Sequence, residues 1–112
     1  MNFRRVVLET PYQGNTVLNI LYARACVRDC LKRGESPIAP HLLFPQPGIL
    51  NDNVRSEREL GISAGLAWGE VADATVVYVD NGISDGMREG IEHAKEFGRP
   101  VEFRKLKGWH QH

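Results

Sequence analysis

Short apolar runs alternate with longer stretches of helical spacing along the chain. Arg5-Val6-Val7-Leu8 reads as a buried first strand. It ends at Glu9-Thr10-Pro11-Tyr12-Gln13-Gly14, because Pro11 cannot continue a central strand and Gly14 permits an unusual turn. Asn15 or Thr16 caps a helix that runs to about Arg33 and stops at Gly34. One apolar stripe on it is Val17, Ile20, Ala23, Val27, Cys30 and Leu31; Leu18, Leu21, Tyr22 and Ala25 form a second. A helix apolar on most of its surface needs a second cover, either deep burial or a neighbouring subunit.

Ser36 to His41 is expected to be a short second strand punctuated by prolines. The connection from Leu42 to Val54 is long and rich in Pro, Gly and Asn, as lids and binding loops are. Ser56 and Glu59 match a capping box for a helix that turns Leu60, Ala64, Ala67, Trp68 and Val71 inward. Gly61, Gly65 and Gly69 recur along it every fourth residue, although glycine costs a helix roughly 1 kcal/mol relative to alanine. Such a stripe points to close approach of another backbone or a ligand.

Thr75 to Val79 is a β-branched third strand that empties through Asp80-Asn81-Gly82 into a helix opening at Ser84. The inner stripe of that helix is Ile83, Met87, Ile91, Ala94 and Phe97, and Gly98-Arg99-Pro100 ends it. Val101 to Arg104 is a fourth, edge-like strand; residues 105–112 show no periodicity and are expected to be a flexible tail, its His110 and His112 solvated. The order β-α-β-α-β-α-β predicts an α/β fold: a Rossmann-like (flavodoxin-like) parallel sheet of four to five strands with helices on both faces. Residues 1–104 form one domain.

Composition narrows the function classes. The chain has 112 residues and a formal net charge of zero, with no basic stripe, so no nucleic-acid polymer is expected as a partner. It lacks a signal-peptide pattern and any stretch long enough to cross a membrane, so the expected location is the cytosol. Cys26 and Cys30, the only cysteines, are expected to be small buried hydrophobes, and neither a metal nor another cofactor is expected.

In parallel sheets ligands bind beyond the carboxyl ends of the strands, which here carry Glu9 to Tyr12, Pro40-His41 and Asp80 to Gly86. Glu9 is a carboxylate at that edge with no evident structural need. Tyr12 suits either stacking on a base or covering the core, and His41 either a structural or a site role. Asp80 suits its own turn or ribose hydroxyls. Ser84 can cap the helix and orient a ligand. Asp85 favours the helix dipole but would repel a phosphate at the same end.

Five stretches line up, in order, with a known group: ETPYQGN from Glu9, SPIAPHLLFPQ from Ser36, RELG from Arg58, ISDGM from Ile83 and GRPV from Gly98. From about Val6 to Phe103 the chain resembles the small, often phage-encoded DUF4406-type proteins, which are similar to nucleoside 2-deoxyribosyltransferases and to deoxyribonucleoside monophosphate N-glycosidases. The resemblance implies a nucleoside or nucleotide pocket at the strand ends, in the cytosol of a bacterium or a phage-infected host. It also implies a homo-oligomer, dimer or higher, that completes the pocket. Tyr12 would lie beside sugar and base, His41 on the second wall, and Ser84 and Gly86, with Asp85 and Met87, at the phosphate or sugar hydroxyls. The deoxyribosyltransferases carry a glutamate four residues after that glycine, where this chain has Gly90; the glycosidases carry an aspartate three residues before a tryptophan, where it has Gly65. Glu9 and Asp80 are then the candidate catalytic carboxylates. The implied activity is cleavage or transfer at an N-glycosidic bond; the alternative is a non-catalytic sensor or sponge for a nucleotide signal.

Overall fold

The computed structural model describes residues 2–109. Four parallel strands, β1 (Arg4–Glu9), β2 (Glu35–Ile38), β3 (Ala74–Tyr78) and β4 (Val101–Arg104), lie in the order β2-β1-β3-β4. The helices are α1 (Thr16–Lys32), α2 (Pro40–Leu43), α3 (Arg55–Gly69) and α4 (Asp85–Glu96). The predicted α/β architecture with helices on both faces is the one observed.

Strand alternation divides the core. Val6 and Leu8 of β1 and Val76 and Tyr78 of β3 pack with Tyr22, Cys26 and Cys30 of α1. Val77 points to the other face and packs with Met87 and Ile91 of α4. By the same alternation Val7 and Glu9 belong to the face shared by α3 and α4. Both cysteines are buried and free.

Several local expectations are corrected. The second strand stops at Ile38, because Pro40 takes the first turn of α2 and His41 follows within that helix. No capping box forms at Ser56: Val54 precedes α3 without a side-chain cap, Glu59 pairs with Arg55, and Glu57 accepts from the Asn51 backbone N–H. On α3 the glycine edge, not the large residues, faces inward. Gly65 and Gly69 are buried while Leu60, Trp68 and Val71 are exposed. On α1 the buried residues are Tyr22, Ala23, Cys26 and Cys30, and Val17, Leu18, Leu21 and Leu31 remain exposed. Phe97 is exposed as well.

The expected tail folds back in part. The Leu106 N–H donates to Asp80, and Leu106 and Trp109 pack on the α1-side core. His110 and His112 lie outside the described residues.

A buried ion pair ties the two edge strands. Arg104 donates from Nη1 and Nη2 to the two Glu35 oxygens at 2.7 and 2.6 Å. Arg104 holds the Glu35 carboxyl below its ordinary value of 4.5. The folded state therefore binds this proton less readily than the unfolded chain, and the pair stabilises fully above pH 4.5. Urea titrations should show stability falling as pH drops below that value, with a shallower fall in Glu35→Gln.

Candidate functional site

A cavity of about 620 Å³ opens where the carboxyl end of β1 meets α2, α3 and the segment that leads into α4. Of the sequence candidates, Glu9, Tyr12, His41, Ser84, Asp85, Gly86 and Met87 all line it. Asp80 does not.

Strand parity explains the split. Val76, Tyr78 and Asp80 share the α1 side, whereas Val7 and Glu9 share the cavity side. Asp80 accepts from the Tyr22 hydroxyl at 2.6 Å, its own N–H donates back to that hydroxyl at 3.0 Å, and it also receives the Leu106 N–H. It ties β3 to α1 and the C-terminal segment. Tyr22→Phe should lower stability by about 2 kcal/mol in urea titrations, because it removes a charge-assisted hydrogen bond from a shielded carboxylate. It should leave ligand binding in the cavity unchanged.

Glu9 ends β1 with its side chain lying against α4. Gly90 is what admits it: a Cβ at position 90 would overlap Glu9 Oε2 and sit 2.5 Å from its Cδ. The position without a carboxylate on the helix is thus filled by a carboxylate from the strand. Burial pushes the Glu9 carboxyl up to about 8; the Arg99 charge opposes this and Glu89 adds to it.

Arg99 is buried at the back of the cavity. Its Nε donates to Thr75 Oγ1 at 2.9 Å and its Nη1 to the Gly69 carbonyl at 2.7 Å, with Nη2 3.3 Å from His93 Nδ1. The glycine edge of α3 makes room for these contacts. A Cβ on Gly69 would lie 2.8 Å from Arg99 Nη2, and one on Gly65 would lie 2.9 Å from the Pro40 Cβ. The glycine stripe signalled close approach correctly; that Arg99 and α2 are what approach was not readable from spacing.

His41 and Tyr12 form a second wall. His41 Nε2 is 2.6 Å from the hydroxyl of buried Thr10, and burial lowers the imidazole to about 4, so it is neutral at pH 7. Tyr12 meets the His41 ring edge-on at 6.3 Å between centroids, and its hydroxyl donates to the Pro45 carbonyl. Tyr12 is therefore tied to the 42–54 connection, which contributes Phe44, Pro45, Leu50 and Asp52 to the lining. At the head of α4, Ser84 Oγ accepts from the Met87 N–H and Met87 Sδ accepts from the Ser84 N–H, both at 3.3 Å. Ser84 is thus the helix cap, Met87 is buried beneath it, and Asp85 projects into solvent, where it pairs with Arg88. Gln13, Glu57, Arg58 and Glu89 complete the polar rim. These rim positions come from loop and helix ends whose direction the spacing did not define.

A family model described as "Domain of unknown function (DUF7768)" matches residues 4–104. No curated protein matches the sequence. Among solved structures, a 2-deoxyribosyltransferase from Bacillus psychrosaccharolyticus is similar to the chain, with a TM-score of 0.65 at 18% identity. The match covers 96% of this chain and 77% of that one. The likeness extends to the fold.

Proposed function

We propose that this chain, which belongs to the DUF7768 family, binds a nucleoside in this cavity and cleaves or transfers at the N-glycosidic bond. The observation that carries this reading is the Glu9 carboxylate seated over Gly90, at the floor of the cavity. The deoxyribosyltransferase-like fold supports the choice of a nucleoside.

In the proposed reaction Glu9 is the carboxylate that meets the anomeric carbon. One Glu9 oxygen bonds to C1′ as the C1′–N bond breaks, and the base departs with that electron pair. Water, or a second base, then displaces the glutamyl ester and takes the sugar. Glu9 must be ionised to attack, so activity should follow its unusually high pKa. Tyr12 and His41 would flank base and sugar, and Ser84, Gly86 and Met87 would line the sugar side. Asp80 would act only as an anchor, because it sits on the opposite face of the sheet. The test is incubation of the protein with a panel of nucleosides and deoxynucleosides, including nicotinamide riboside, and chromatography for free base; no release above blank from any of them at high protein concentration would refute it.

The second reading is a non-catalytic binder. It is favoured by Gly90 and Gly65, which stand where the resemblance placed carboxylates. Thermal shifts with the same ligands, but without base release, would support it.

A further inference from the structure

We infer that the cavity takes an N-glycoside whose base is positively charged and whose sugar bears no phosphate, an inference that rests on the glycoside reading above. The first ground is the charge of the walls. Among the described residues that line the cavity, Asp52, Glu57, Asp85 and Glu89 are acidic, Glu9 joins them as it ionises near pH 8, and only Arg58 and Arg99 are basic. The Arg99 guanidinium directs its donors to Thr75, Gly69 and His93, so it keeps its charge near Glu9 but is not turned to a ligand. Arg58 is exposed on α3 beside Glu57. His41 is uncharged at neutral pH. A phosphate in the cavity would meet carboxylates from several elements, Asp52 and Glu57 from the 42–54 connection and α3 and Glu89 from α4, while Asp85 at the mouth is turned to solvent against Arg88. A cation would be attracted by the same groups.

The second ground is the leaving group. A neutral base leaves readily only if something protonates it. Position 65 has no side chain, and Pro40 occupies the space a Cβ would need. His41 holds no spare proton at pH 7. A base joined to the sugar through a cationic ring nitrogen needs none. As the C1′–N bond breaks, its electron pair cancels the nitrogen's charge, and the base departs neutral. The sugar bonds to a Glu9 oxygen; water then adds its hydroxyl to C1′, frees the carboxylate and releases its proton to solvent.

The groups facing Glu9 add a pH signature. They are Glu89 and the Gly90 backbone from α4 and Arg99 ahead of β4; His41 of α2 lines the same cavity, bonded to Thr10. A bound cation would favour the ionised carboxylate, so cation binding should release a proton and tighten as pH rises towards 8.

Calorimetry and base-release assays on the full chain can separate these ideas, using nicotinamide riboside, its neutral carbon-linked isostere benzamide riboside, nicotinamide mononucleotide and neutral deoxynucleosides. Nicotinamide riboside should bind at least tenfold tighter than benzamide riboside, by a margin that grows from pH 6.5 to 8.5, and tighter than the mononucleotide. Equal binding of the two ribosides, tighter binding of the mononucleotide, or cleavage of neutral deoxynucleosides but not of nicotinamide riboside would overturn the inference and leave the glycoside reading standing. Binding by no member of the set would remove both.

Discussion

Glu9→Gln should abolish base release, by roughly 10⁴-fold or more, and should make the protein more stable at alkaline pH. The two effects share one cause. The carboxylate is held in a shielded cavity where ionisation is unfavourable, so its pKa is about 8 rather than 4.5. A carboxyl whose folded pKa lies above its unfolded value retains its proton longer in the folded state. Between pH 4.5 and 8 the folded protein therefore binds more protons than the unfolded chain, and stability declines as pH rises across that window. Glutamine has similar shape and no charge to bury. The gain at pH 8.5 should be on the order of 2 kcal/mol, after discounting for solvent contact at the cavity mouth, and should vanish below pH 4.5. Urea titrations of both proteins at pH 5 and 8.5 would measure it. A variant less stable than wild type at pH 8.5 would show that Glu9 serves the fold rather than the site.

Gly90→Ala should separate position from presence. Alanine at a helix interior is worth roughly 1 kcal/mol over glycine, so α4 itself gains. The added methyl collides only with the far end of the Glu9 side chain, which can swing aside. The folded protein should therefore keep its melting temperature while base release falls by roughly 10²-fold or more, the scale set by misplacing a reacting group by an ångström. Glu9 would still be present, and its carboxylate would no longer lie over the α4 backbone. Full activity in Gly90→Ala would mean that the seat over Gly90 is not where Glu9 works.

Much of this was readable along the chain, and the failures have physical causes. Periodicity located the strands and the three long helices, because buried runs and amphipathic stripes are local properties. It missed α2, where four residues led by Pro40 make one turn within a segment that reads equally well as strand. The inward face of α3 was misjudged because large apolar residues were taken as the core side. Arg99 and α2 instead needed a thin edge there, which the glycines supply, and Leu60 and Trp68 were left outside. Of the candidate site, the residues on strand ends and helix starts converge as expected. Asp80 could have been assigned to the opposite face from parity alone, since it follows Val76 and Tyr78 at alternate positions. The relation between Glu9 and Gly90 was beyond reach: it joins residues 81 positions apart, and the signal is an absent side chain on one of them.

Val17, Leu18, Leu21 and Leu31 stand exposed on α1, and the homo-oligomer that the sequence resemblance implies would place its contact there. Light scattering of the wild type beside a variant with Leu18 and Leu21 made charged would test that contact separately from the chemistry.

The most direct test of the central claim is the pH profile of base release by the wild-type protein, followed by chromatography from pH 6 to 9. If Glu9 over Gly90 is the attacking carboxylate, release at limiting substrate should rise about tenfold per pH unit and level off above about 8. Absence of release at every pH, or a rate that falls across that range, would contradict it.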